Sequence, residues 1–578
     1  PEGDQEYFAD GLSEELLNVL AKVPELKVAG RTSSFAFKGT NKDLREIGEL
    51  LNVAHILEGS VRKAGNRIRV TAQLIKAEDG FHLFSETYDR DLEDIFAVQD
   101  EIAQKISNAL LTEIVGTQTI IKSQTDTEAY ELFLKARQRI HSRDILNLRE
   151  ANSMLDRVLE IDPEYPPALA QKALVTHLMS DSLGAYGDIP VSQTMPIAMG
   201  YVEKALALDD ELAEAYAVQG LLLDDLNQFD EAIAVLEKAR ELNPTLSDAA
   251  NWLSTTLGAV GRWDDGRRVL EEVVRRDPTY GPAFNNLVAD YTRTSQLDDA
   301  EALSTRVAQI VGENDDVRMS QGIIYVMRGE SAYAARSFRR SLELNPSSTV
   351  LQFWYGLSLI GLSDFETLET AGLEQQNVVA FGAQNYLEKA NEVIARLDLE
   401  GAFVPTAVAD VGRVLNRHGE SERLLHYVEE NFGSVEELER VHPASQAWGT
   451  GYLPVLAWAS RQNGDEETAV RLIESMRTIL DDRDDMKGNF LYHLNLAMYA
   501  GLTGYQPGVI SELRTAMNAG MRGLPFLDDV VFDPYRGEPE FVAIRDEMRG
   551  LIDEQRAILG MPPYRPVQPT EKRPTFVN

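Results

Sequence analysis

Two rhythms of apolar positions divide this chain. Between Ala54 and Asp91 apolar and polar residues alternate with a period of two, and Ile56, Val61, Ile68, Val70, Ala72 and Leu74 fall on strands. Gly65-Asn66 and Asp79-Gly80 supply the turns between them. On both sides the spacing becomes helical. Glu6 to Leu20 reads as an amphipathic helix, with Ser13 as a candidate cap before Glu14 and Glu15. Asp43 to Asn52 carries Leu44, Ile47, Leu50 and Leu51 at helical spacing, and a further helix is expected from Leu92 to Leu111. LKVAG, Leu26 to Gly30, reads as a short strand. Together these elements predict a small α/β domain of about 110 residues.

Beyond it the helical spacing acquires a longer beat. Pro244 and Pro278 stand 34 residues apart, and Pro346 follows 68 residues later. Between Ala213 and Pro244 the small residues Gly220, Ala232 and Ala239 alternate with the larger Tyr216, Leu223, Phe229 and Leu236. The same register reaches back to Asp210 with Ala198 and Ala205, and forward to Gly312 with Ala300. Gly322 and Ala334 precede Pro346 in the same way. Proline suits each boundary because it ends one helix or starts the next where no amide donor is needed. An earlier unit contains Ala151 and ends at Pro163, and an insertion is expected near Gly184 to Pro196. A period of 34 with small residues at helix crossings resembles the tetratricopeptide repeat, a helix–turn–helix unit that stacks into a solenoid.

Past Pro346 the beat blurs. Helical pairs are expected over Ala407 to Gly433, over Leu453 to Leu480 with Ala457, Gly464 and Ala469, and around Ala497, Tyr505 and Ala516. Phe532 to Met548 resembles the segment that closes such arrays, and a last helix runs to Leu559. The proline-rich tail is expected to be extended or docked on the surface.

YFADGLSEELLNVL, RTSSFAFKG, ILEGSVRKAGNRIRVTAQLI and the segment Tyr88 to Ala103 carry a second resemblance, to the TolB-like amino-terminal domain. It covers about residues 1–112. In bacterial membrane-anchored regulators that domain commonly precedes tetratricopeptide repeats. A winged-helix or nucleotide cyclase domain and one membrane span lie upstream there, and the TolB-like and repeat portion is periplasmic. The family opens with a hydrophobic strand that this chain starts after, so that strand is expected to be missing or replaced. The expected order is 1–115 TolB-like, 126–346 tetratricopeptide repeats, 347–560 degenerate helical repeats and 561–578 extended tail, and the resemblance matches this order through about 346. The expected fold is thus a small α/β domain followed by an all-α, predominantly helical solenoid.

Charge and composition narrow the function classes. A net charge of −37 disfavours a nucleic-acid backbone or an anionic membrane surface as partner. The absence of cysteine removes disulfides, thiolate catalysis and cysteine zinc sites. No apolar run is long enough to span a bilayer, so a membrane link is expected only through an upstream anchor. Pro1 in place of methionine agrees with a preceding segment. Nucleotide-loop, HExxH and GxSxG patterns are absent, and GTGYLP at Gly449 lacks a third glycine. Asp481, Asp482, Asp484 and Asp485 lack calcium-loop spacing and read as a solvated loop. The segment therefore reads as non-enzymatic, with no cofactor or metal implied.

Two places are candidates for recognition. The first helices of the repeats are expected to present Asp248, Asn251, Thr255, Asn285, Asn286 and Arg293 outward. Asparagines there can hold a peptide backbone, and an arginine can hold a carboxylate. The bland alternative is that these residues only solvate the inner face. The second place is a basic spot of Arg31, Arg62, Lys63, Arg67 and Arg69 on or near the hairpin, able to meet an acidic partner. Its alternative is a guard against edge-to-edge aggregation. Expected partners are proteins or peptides, and homo-oligomerisation stays open. The expected role is a periplasmic sensing or interaction module of a membrane-anchored regulator, with a structural scaffold of an envelope complex as the alternative.

Overall fold

The alternating segment folds as a three-stranded antiparallel sheet in the order β1 (His55–Ala64), β2 (Arg67–Lys76) and β3 (His82–Asp91). The described residues of this computed structural model are 6–21, 26–64, 67–91, 95, 98, 101, 102, 105, 106, 125–141, 144–180, 186, 187, 189–344, 349–371, 387–395, 404–444 and 450–565. Register sets Val61 beside Val70 and Tyr88, and Leu57 beside Leu74 and Phe84, which makes one face apolar. That face shares a core with Tyr7, Phe8, Leu12 and Leu16 of α1 (Glu6–Ala21). Each such fully buried large side chain contributes about 1.5–3 kcal/mol. Ile95, Val98, Ile102 and Ile106 join the same core at helical spacing. Apart from Glu101 and Lys105, the remainder of the expected Leu92–Leu111 helix lies outside the described residues, as does the Gly65-Asn66 turn. On the opposite face the rows are polar: Ser60, Thr71 and Thr87, then Arg62, Arg69 and Asp89.

Two expectations here are corrected. Ser13 lies inside α1 and donates to the Ala9 carbonyl at 2.9 Å, so it caps nothing. Leu26–Gly30 joins no strand among the described residues, and the Gly30 amide donates to the Arg276 carbonyl at 3.0 Å instead. The residues after it form a short helix, α2 (Arg31–Phe35). α3 (Leu44–Leu51) begins where the Asp43 side chain accepts from the Arg45 amide, and it ends at Asn52 with a left-handed φ of 55°.

The chain divides into two compact units, Pro1–Asn286 with Gln309–Val311, and Leu287–Ala308 with Gly312–Asn578. The first unit continues with helix pairs: α4 (Thr127–Ile140) and α5 (Ile145–Ile161), α6 (Pro166–Leu178) and α7 (Val191–Leu208), α8 (Ala213–Asp225) and α9 (Phe229–Leu242), α10 (Ser247–Ala259) and α11 (Trp263–Arg276). The expected Gly184–Pro196 insertion ends inside α7, whose first residues are Val191–Pro196 and which carries Pro196 within it, while residues 184, 185 and 188 lie outside the described residues. Ala198, Ala205, Ala232 and Ala239 are fully buried at helix crossings, and a β-carbon on Gly220 would meet the Leu236 side chain at 2.3 Å. Pro244 and Pro278 follow the caps Asn243 and Asp277, where each second helix has ended. α12 (Gly281–Arg293) and α13 (Leu297–Val311) come next, and Gly312 closes α13 with φ 75° where the beat lacks a proline. Pro346 lies outside the described residues.

In the first unit the α/β part meets one turn after another of the repeats, at the 34-residue interval. Asn243 donates to Asn18 at 3.2 Å. Asp277 accepts from the Ser33 amide at 2.7 Å and its hydroxyl at 2.6 Å, and from Ser247 at 3.2 Å. Ile310 and Val311 pack against Phe37, Ile47 and Leu50. Burial pushes the Asp277 carboxyl up, and the Ser33 and Ser247 donors offset this in part. A β-carbon on Gly30 would fall 2.2 Å from the Asp277 side chain, which explains the glycine before RTSS.

The second unit repeats the helix-pair pattern through α14 (Asp315–Met327), α15 (Ser331–Leu344), α16 (Thr349–Gly361), α17 (Phe365–Thr370), α18 (Leu387–Ile394), α19 (Val404–Arg417) and α20 (Ser421–Phe432). It continues with α21 (Val435–Val441), α22 (Leu453–Gln462), α23 (Glu466–Asp481), α24 (Phe490–Leu502) and α25 (Gln506–Asn518). Gly322 packs under Phe338, while Ala457, Ala469, Ala497 and Ala516 are buried. α26 (Leu524–Leu527), a 3-10 turn at Val530–Tyr535 and α27 (Pro539–Ile558) close the unit around Phe532 and Phe541. Asp528 holds Arg536 and Arg545 at 2.9 Å and Arg417 at 3.5 Å. Burial would raise this carboxyl, but the three guanidiniums outweigh it and hold it below its ordinary value. Arg556 donates to the Pro562 carbonyl at 2.7 Å, so the start of the tail is docked, and residues 566–578 lie outside the described residues.

Candidate functional site

The first helices α6, α8 and α10 pack side by side in the first unit, as a helical-pair array requires. Thr255 is exposed on α10, and its hydroxyl turns back to the Trp252 carbonyl at 2.8 Å. Asp248 is half-buried and accepts from the Tyr280 hydroxyl at 2.5 Å. Asn251 is 6% exposed, and its Oδ1 accepts from Asn286 Nδ2 at 2.9 Å. Asn285 is half-buried on α12. The structure thus places Asn251 and Asn286 in a hydrogen bond between α10 and α12, Asp248 in one with Tyr280 just before α12, and Thr255 outermost.

Arg293 requires a correction. It was expected to point outward, but in the second unit it is 5% exposed and paired with Asp290 and Asp485. Asp485 also lies 3.7 Å from Arg483, so this member of the acidic run is an internal counter-ion and not part of a plain solvated loop. A guanidinium enclosed by two carboxylates has no free fork for an incoming carboxylate.

The basic spot separates into used and open groups. Arg31 donates to Glu14 at 2.8 Å and lies 4.6 Å over the Phe35 ring. Lys63 pairs with Glu131 on α4. Arg69 makes a two-pronged pair with Asp89 at 2.8 and 2.9 Å. Arg62 and Arg67 are exposed, with no ion pair among the described residues. Arg62 lies directly across from Arg69 in the ladder, a like-charge neighbour that disfavours this pairing.

One polar group escapes the 34-residue beat. His177 ends α6, and Asp224 and Asp225 end α8. His177 Nε2 lies 3.6 Å from Asp225 Oδ2. The only sequence signal was the double aspartate closing the apolar run GLLL. Nothing local marks His177, which reaches the pair only through packing of α6 on α8. Among the described residues no group of His, Asp and Glu has metal-holding geometry. Nor is any helix there long and apolar enough to cross a membrane.

Residues 225–291 match the tetratricopeptide repeat family, in line with the helix pairs described above. The putative adenylate cyclase 3 of Rhizobium meliloti (strain 1021) is 40% identical over 233 residues, covering 40% of this chain and 39% of that protein. This chain therefore spans well under half of that relative's length. Among solved structures, the PilF structure of Pseudomonas aeruginosa is 18% identical with a TM-score of 0.29, covering 39% of this chain and 96% of that one. PilW, described as a type IV pilus biogenesis factor, is 20% identical with a TM-score of 0.30, covering 39% and 97%.

Proposed function

We propose that this chain is the sensing or protein-interaction part of a membrane-anchored bacterial regulator, periplasmic and non-catalytic in itself. Its partner is a protein or peptide segment held along the first helices of the repeats. The observation that carries this reading is the side-by-side row of first helices α6, α8 and α10, on which Thr255 stands exposed. Side chains far apart in sequence then act together, as repeat arrays allow. The TolB-like resemblance of residues 1–112 and the relative named as a putative adenylate cyclase support the regulatory context.

Selection of short displayed peptides against the 578-residue chain tests this directly. Selected peptides should bind, and Thr255→Arg, which crowds the row from an exposed position, should weaken them about tenfold or more, the value of about 1.4 kcal/mol. Arg62→Glu with Arg67→Glu should leave them unchanged. If the sheet variant abolishes binding and Thr255→Arg does not, recognition belongs to the α/β domain. Selection of no peptide at all would favour a scaffold that meets its partner through folded surfaces.

A further inference from the structure

The turns that join paired helices in the first unit carry apolar side chains where those of the second unit carry polar ones. Leu226 follows α8 and Val260 follows α10, 34 residues apart, and they are 46% and 38% exposed. Each precedes a left-handed residue, Asn227 with φ 58° and Gly261 with φ 79°. Gln228 and Arg262 then donate back to the Leu223 and Leu257 carbonyls at 2.9 and 2.8 Å, so the two turns share one form. In the second unit the residue before the left-handed one is Thr294, Arg328, His418, Asn463 or Thr503, and the apolar exception, Leu362, is fully buried. A polar residue is the ordinary choice for a turn that faces water. Ile189, between α6 and α7, is 36% exposed, and its amide donates to the Met179 carbonyl at the end of α6 at 3.3 Å. Because α6, α8 and α10 pack side by side, Ile189, Leu226 and Val260 stand at one edge, at the ends of three successive first helices. Carboxylates follow each turn: Asp230 and Glu231 open α9, and Asp264 and Asp265 open α11. Asp230, Glu231 and Asp264 are exposed, while Arg262 beside Val260 and Arg268 on α11 both pair with Asp265. Carboxylates at these positions also suit the helix dipole, so the apolar side chains mark the surface and the charges select what it takes.

We propose that Ile189, Leu226 and Val260 take apolar side chains of a partner's segment, and that lysine or arginine residues flank those side chains. This rests on the reading of the preceding section and adds the chemistry of the segment held along α6, α8 and α10. Apolar groups that folding leaves in water gain by burial against a partner, whereas a polar turn residue does not. The exposed carboxylates beyond them attract cations and repel an acidic segment, and the chain's net charge of −37 acts in the same direction. A second copy of the chain would bring the same acidic edge, so like charges oppose self-association through this row.

The test uses the peptides selected above against the full chain. Binders should share an apolar residue flanked by lysine or arginine, and their affinity should fall as salt rises. Leu226→Ser with Val260→Ser should weaken them about tenfold or more, the scale of one buried leucine or valine. Polar residues occupy the matching turns of the second unit, so the thermal melting of this variant should equal that of the parent. Replacing the shared apolar residue of the peptide by serine should weaken binding to the parent and leave the already weakened binding to the variant unchanged. If the double variant folds poorly, each single variant decides in the same way. Binders that respond to Thr255→Arg but not to the serine variant, or that carry no cation, would overturn this inference and leave the reading of the preceding section intact. Concentration-dependent self-association of the parent that the serine variant abolishes would place a second copy on the row and overturn it too. Absence of binders would overturn both.

Discussion

Asp224 shows how a single side chain can carry a measurable signature. Its carboxyl holds a proton up to about 6 in the folded chain, against 3.8 as its ordinary value, because burial penalises the charged form. Between those values the folded state binds more protons than the unfolded state, so this group's contribution to stability is lost as pH rises. Asp224→Asn removes that titration. The melting temperature of the variant relative to the parent should therefore climb across this window and level off above it, as a series of thermal scans would show. A flat difference would mean that the carboxyl is solvated. The double aspartate after GLLL marks the place but not the burial, which depends on the approach of Thr256 from another helix. The Arg293 expectation failed for a similar reason: its position in the repeat could be counted, but its counter-ion Asp485 is 192 residues away.

At the level of helices the sequence was far more legible. Small residues mark crossings because two helices approach closely only where side chains are short. Ala232 and Leu236 are both fully buried, and Leu236 lies against Gly220. Ala232→Leu should destabilise the first unit by about 1–3 kcal/mol through overpacking. Leu236→Ala should cost about 2–5 kcal/mol through the cavity it leaves. Urea melts followed by circular dichroism check both, and neutrality at both positions would refute the register. The short strand expected at Leu26–Gly30 failed because strand identity requires a partner, and the amide at Gly30 found a repeat carbonyl instead.

At the largest scale, the contacts of Asn18, Ser33 and Phe37 with successive repeat turns make the α/β part of the first unit continuous with its repeats. Asp277→Ala would leave the Ser33 amide and hydroxyl buried without their acceptor, a cost of about 1–3 kcal/mol. Hydrogen exchange should then show residues 26–52 and 243–279 losing protection together, while 490–518 stay unchanged. Loss confined to the immediate neighbours of residue 277 would show that the turn contacts are independent. The sequence by itself determined the sheet, the helix pairs and their 34-residue beat, because alternation, small residues and prolines act over a few turns of chain. Only the tertiary structure decided which polar residues are spent internally. Ser33 is consumed by Asp277, Arg31 by Glu14 and Arg293 by Asp485, while among the described residues Arg62 makes no ion pair and Asp224 Oδ1 accepts no hydrogen bond. The physical reason is that a charge's partner is chosen by distance in space, and the repeats bring together groups that local sequence patterns cannot pair.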